Sequence, residues 1–188
     1  MEKLLNKAKD IKIIFFDIDD TLRVKDTGFM PASLTHIFEI LHQKGILTGI
    51  ATGRNLCGVV PEIKALHPDF FVTANGAYVI DKSDQVIYKQ SLPQKVVLDI
   101  VEWLTTSSAE YVVYGADQVV ASAWSDTMQS AIEPIYGQLP IDPDYHLTHD
   151  IYQMVTMSEH DDQLTLPEKL SESVRMVRWH EHSSDIVP

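Results

Sequence analysis

Three short apolar runs separated by two helical patterns set the strongest limit on how this chain folds. IKIIFF (11–16), ILTGIAT (46–52) and FFVTAN (70–75) are rich in β-branched or aromatic residues, the pattern of strands under helices. Between the first two, PASLTHIFEILHQKG (31–45) opens on Pro31, carries Leu34, Ile37, Phe38 and Leu41 at helical spacing, and closes on Gly45. Between the second and third, NLCGVVPEIKALH (55–67) predicts a helix weakened or interrupted near Pro61. The order β-α-β-α-β predicts an α/β fold on a parallel sheet, with ligands bound outside the carboxyl ends of the strands. The first run, apolar throughout, reads as a strand buried on both faces.

Polar residues collect where that rule places a ligand. Asp17 and Asp19 follow the first strand, TGR (52–54) the second and NG (75–76) the third. AYVID (77–81) and QVIYKQ (85–90) then read as a hairpin that ends the parallel winding. The expected division is therefore a core segment over 1–91, with its hairpin at 77–90, and a smaller α+β unit over 92–188. In that second unit the patterns predict helices at 94–106, 127–136 and 162–171. They predict strands near 111–115, 118–123, 151–157, 174–180 and 185–187.

Composition narrows the partners. The 188 residues, 45% of them hydrophobic, suffice for one substantial core or a modest core with an appended domain. With 15 basic against 27 acidic residues there is no basic stripe for a phosphate backbone, so nucleic acid is not an expected partner, whereas small anions are compatible. No run approaches the roughly 20 apolar residues of a membrane span and no secretion signal is visible, so a cytoplasmic protein without a membrane partner is expected. The single cysteine, Cys57, permits no internal disulfide and is read as a packing residue.

Two carboxylates and a threonine at strand ends suit phosphoryl transfer. One Asp can attack phosphorus to form an acyl phosphate, and a second, two residues on, can protonate the leaving oxygen. Mg²⁺ held by one or two carboxylates would supply positive charge for the phosphoryl oxygens. Thr52 and the Gly53 amide, expected at a helix start, could hold those oxygens. Arg54 reads equally as a further phosphate contact or as a salt bridge on the helix surface. Taken alone, DIDD is also readable as a strand-end turn with solvated acids; ATGR and NGA at the next two strand ends favour a site. Glycoside hydrolysis is disfavoured, because Asp17 and Asp19 share one short segment and cannot flank a sugar ring.

DIDDTL (17–22) resembles the first motif of the haloacid dehalogenase superfamily, D-x-D-x-T-L. ATGR (51–54) and NGAYVI (75–80) resemble the second motif and the following Asn-Gly-Ala segment of its Cof-like sugar-phosphate phosphatase branch. The resemblance implies a Rossmann-like core with an inserted type IIB cap, whose element order residues 94–187 share. It implies Asp17 as nucleophile and Mg²⁺ ligand, and Asp19 as general acid/base and ligand through its backbone carbonyl. Thr52 would bind phosphate, Asn75 would lie near it, and the substrate would be a small phosphorylated metabolite. The family pattern continues after the cap with a lysine and a G-D-x-x-[ND] acidic motif. Here the last lysine is Lys169, no Gly-Asp pair occurs, and the sequence stops at SSDIVP (183–188). The expectation is thus a partial core without its C-terminal segment, weak or no catalysis from this chain, and an uncovered core edge through which two copies could pair. A non-catalytic binding or assembly module derived from such a phosphatase is the alternative.

Other candidates carry less. His180 and His182 share a strand face as a transition-metal pair would, yet no third ligand is evident, and they read as surface residues. EHDDQ (159–163) reads as an acidic helix start.

Overall fold

The computed structural model describes residues 10–160 and 163–188. They divide into two compact units: residues 10–53 with Val59–Tyr88, and Arg54–Gly58 with Lys89–Pro188. No helix among the described residues is long and apolar enough to cross a membrane.

The first unit is an α/β layer. Its strands β1 (Ile13–Phe16), β2 (Leu47–Ala51), β3 (Phe70–Thr73), β4 (Tyr78–Asp81) and β5 (Val86–Lys89) lie side by side in chain order. β1, β2 and β3 are parallel, and β4 turns antiparallel to β3. Helix α1 (Ser33–Gln43) crosses from β1 to β2 and buries Phe38, whose ring lies 5.1 Å from that of Phe16 between centroids. Gly45 ends α1 at φ 68°, with its amide on the His42 carbonyl and the Ile46 amide on that of Leu41. This double bond pattern requires a left-handed residue, which is why glycine stands there.

Two expectations are corrected. Among the described residues β1 is the edge strand of its sheet, not one buried on both faces, and Phe15 is 48% exposed. The helix expected over 55–67 is reduced to a 3₁₀ turn (Leu56–Gly58) and a single α-helical turn, α2 (Pro61–Lys64). A residue before proline is driven out of the helical region, and Val60 is extended at φ −64°, ψ 151°, so the helix restarts with Pro61 in its first turn.

Asp69, just before β3, ties the strands together at the end away from the predicted ligand site. Its buried carboxylate accepts from the Thr48 amide at 3.0 Å and from Lys82 Nζ at 3.0 Å, with His42 Nε2 at 3.4 Å. Burial pushes its carboxyl up, but the Thr48 amide, Lys82 and His42 outweigh that and hold it below the ordinary carboxylate range. A carboxyl depressed in the folded state stabilises above its unfolded pKa and loses that contribution as pH falls through the folded value. Urea unfolding of the first unit should therefore lose stability below about pH 4. Asp69→Asn should flatten that slope, and an unchanged slope would exclude Asp69 as its source.

The second unit is built on an antiparallel sheet covered on both faces. Its strands run β7 (Val119–Ala121), β6 (Glu110–Tyr114), β8 (Gln153–Met157), β10 (Ser183–Val187) and β9 (Arg175–His180). Side chains alternate along β6, so Tyr111 and Val113 join one apolar cluster and Val112 and Tyr114 the other. Helix α3 (Gln94–Thr106) covers the first with Val97, Ile100 and Leu104. Helix α4 (Asp126–Tyr136) covers the second with Met128, Ala131 and Ile132. Ser125 caps α4, accepting the Met128 amide at 3.2 Å.

The last helix, α5 (Glu168–Ser171), is shorter than the 162–171 predicted. Pro167 explains this, because it bars helical geometry at Leu166. Residues 161 and 162, part of the acidic start read in EHDDQ, lie outside the described residues. Cys57 is exposed, not packed, and its thiol donates to the Asp117 carbonyl at 2.6 Å. Among the described residues no group of three or more His, Cys, Asp or Glu is placed to hold a metal.

Candidate active site

Local backbone geometry explains why DIDDTL presents one carboxylate fully and another in part. Ile18 and Leu22 are buried and anchor the turn, and the Ile18 carbonyl accepts the Leu22 and Arg23 amides at 3.1 and 2.9 Å. Asp17, on one side of that anchor at the end of β1, is exposed; Asp19, on the other, is half-buried, and its backbone forms an isolated β-bridge with Arg23. Asp20 has a different role. It turns the chain at φ 56° and its carboxylate accepts the Lys25 amide at 3.0 Å.

The second and third strand ends meet beside it. The Thr52 amide donates to the Val72 carbonyl at 3.0 Å, extending the β2 to β3 pairing, and the Asn75 amide reaches the Thr52 carbonyl at 3.3 Å. After β3 the chain reverses through three residues of positive φ, Ala74 at 49°, Asn75 at 54° and Gly76 at 96°. Asn tolerates this region better than most residues and Gly freely, so NG at this point serves the turn as well as the site. The turn lays the Asn75 amide beside Gly53, where a methyl group would sit 3.2 Å from Asn75 Oδ1.

An open pocket of about 500 Å³ results, lined by Asp17, Ala51, Thr52, Gly53, Val72, Asn75 and Gly76. Four of the six residues singled out from the sequence thus share one wall, and all four lie in the first unit. Asp19 and Arg54 are not part of that lining among the described residues. Arg54 is buried in the second unit, where its Nη1 donates to the Gly58 carbonyl at 2.9 Å, so it is not a residue of an exposed helix surface. Gly53 does not open an α-helix either, because the next helical residues form only the 3₁₀ turn. Any anion there must be held by loop amides and side chains. Gly76, part of the NG signal at the third strand end, joins the wall through the chain reversal.

The Asp17 carboxylate makes no hydrogen bond or ion pair among the described residues. An exposed carboxylate in a pocket that also carries a hydroxyl, an amide side chain and a glycine amide is equipped to receive an anion and to attack it.

A family model for haloacid dehalogenase-like hydrolases matches residues 14–188. The chain belongs to this family. A relative from Streptococcus pyogenes serotype M6, named "Putative bifunctional phosphatase/peptidyl-prolyl cis-trans isomerase", is 48% identical over 98% of this chain and 39% of its own length. The chain therefore spans about two fifths of that relative. A solved structure of a hypothetical protein from Geobacillus kaustophilus HTA426 superposes with a TM-score of 0.80 at 31% identity, over 95% of this chain and 69% of that one. The solved sugar phosphatase BT4131, of haloacid dehalogenase subclass IIB, shares the fold with a TM-score of 0.76 at 22% identity, over 94% and 69% of the two chains.

Proposed function

We propose that this protein hydrolyses phosphoric monoesters of small metabolites, sugar phosphates among them, through an aspartyl phosphate on Asp17 and with Mg²⁺ as its metal. The main support is the exposed Asp17 carboxylate, without a partner among the described residues, in a pocket shared with Thr52, Gly53 and Asn75. The names of the Streptococcus pyogenes relative and of BT4131 support the phosphatase class, and the latter the sugar phosphates.

The donor set fits a hard divalent cation. The Asp17 carboxylate and the Asp19 backbone carbonyl are oxygen ligands, the type Mg²⁺ takes together with substrate phosphate and water. When bound, Mg²⁺ supplies positive charge that offsets repulsion between a carboxylate and a phosphoryl dianion. The Thr52 hydroxyl, the Gly53 amide and the Asn75 side-chain amide donate to the non-bridging oxygens. An Asp17 oxygen forms the bond to phosphorus as the bond to the leaving oxygen breaks, and Asp19 gives that oxygen its proton. Water then attacks the same phosphorus, Asp19 takes a proton from it, and the bond to Asp17 breaks. The carboxylate is restored and inorganic phosphate leaves.

Hydrolysis of a generic aryl phosphate, with and without Mg²⁺, tests this. Weak, metal-dependent release of phosphate is the expected result, since no Gly-Asp pair and no lysine after Lys169 are present to complete the site. A protein that neither turns over the ester nor binds orthovanadate in the presence of Mg²⁺ would favour the non-catalytic module instead.

A further inference from the structure

Residues 54–58 follow Thr52 and Gly53 directly in the chain, yet they pack with the second unit. The contacts centre on Tyr136, at the end of α4. Its hydroxyl accepts the Asn55 amide at 3.3 Å, a bond spanning 81 residues of sequence. Its ring lies so close to Gly58 that a methyl group there would stand 2.5 Å from Cε1. The turn is also closed on itself, because the Gly58 amide donates to Asn55 Oδ1 at 3.1 Å and Arg54 donates to the Gly58 carbonyl at 2.9 Å.

Tyr136 is itself held. The ring of Tyr114, a buried residue, meets it edge to face at 5.8 Å and 62°, and the two side chains share a hydrogen bond. Burial, offset in part by the bonds from Tyr114 and Asn55, pushes the Tyr136 phenol up to about 12, so it remains a neutral hydroxyl across the physiological range. Cys57 adds a contact from the same turn to the Asp117 carbonyl, in the loop between β6 and β7.

The geometry points to Tyr136 as a positioning residue, a clasp on the 54–58 turn that holds the backbone leaving Thr52 and Gly53 in the conformation that receives phosphate. This rests on the phosphatase reading of the pocket. Tyr136 acts through the turn. The arrangement accounts for Gly58, where no side chain would fit against the ring, and for the burial of Arg54.

Two variants of the 188-residue protein test the clasp from opposite sides. Tyr136→Phe keeps the ring and removes the acceptor, whereas Gly58→Ala keeps the hydroxyl and forces a methyl group against the ring. Hydrogen exchange read by mass spectrometry should rise about tenfold in the peptide covering 53–58 in both, the ratio expected for one lost hydrogen bond of ordinary strength. Exchange in β8 should stay as in the wild type. Orthovanadate with Mg²⁺ should bind about tenfold more weakly to both variants, since a displaced donor loop loses part of its hydrogen bonding. Unchanged exchange in 53–58 overturns the clasp, and raised exchange with unchanged vanadate affinity overturns its role in positioning. A wild-type protein that does not bind vanadate overturns the phosphatase reading, and with it the positioning role, while exchange still decides whether the clasp exists.

Discussion

Asp17→Asn should remove whatever Mg²⁺-dependent turnover of an aryl phosphate the wild-type protein shows, by roughly 10⁴-fold or more, as expected when a covalent nucleophile is replaced. The amide is nearly isosteric but lacks the charge and the free electron pair needed to form an acyl phosphate. It is also a poorer ligand for a hard cation. The fold should survive, because Asp17 is exposed and makes no hydrogen bond or ion pair among the described residues. Surface changes of this kind usually stay within about 0.5 kcal/mol. Thermal unfolding checks that directly. Mg²⁺ should raise the melting temperature of the wild type and not of the variant, since a ligand stabilises only the protein that binds it. Retained turnover in Asp17→Asn would sink the nucleophile assignment even if the family reading stood.

Phe38→Ala should unfold the first unit while leaving the second intact. Phe38 is 1% exposed and packs its ring on Phe16, the last residue of β1 before Asp17. Truncating a buried Phe to Ala costs about 3–5 kcal/mol. A unit of this size has a total stability of roughly 4–12 kcal/mol, so the loss takes much or all of it. The tryptophans make the outcome easy to read, because Trp103, Trp124 and Trp179 all lie in the second unit. Tryptophan fluorescence should therefore report an unchanged transition, while hydrogen exchange shows protection lost in β1, β2 and β3. A fluorescence transition shifted in parallel would mean that the two units unfold as one.

The two predictions separate the chemistry of Asp17 from the packing that presents it. Asp17 projects from the end of a strand whose position is held by α1, and Ile18 and Leu22 pin the turn that follows. Loss of Phe38 should remove the platform; loss of the Asp17 charge should leave the platform and remove the reaction.

Much of this was legible in the chain. The strand runs, the α1 pattern and its terminal Gly45 are local signals with periods of 2 and 3.6 residues, and α3 lies at 94–106 as its spacing predicts. A pocket at the carboxyl ends of β1, β2 and β3 lies where topology predicts one, and Asp17, Thr52, Gly53 and Asn75 line it. The interruption at Pro61 was legible too, whereas Pro167 makes the last helix shorter than its pattern predicts.

Order in the chain thus sufficed for the alternation of elements and for the residues at the strand ends, because these depend on neighbours a few positions away. The burial of a strand and the partners of a side chain depend on contacts far apart in sequence. Arg54 directly follows Gly53, yet it is buried with the second unit, in a turn that a tyrosine 81 residues beyond Asn55 holds in place. Only the tertiary structure brings those groups together, since hydrogen bonding and close packing act through space and leave no periodic trace along the chain.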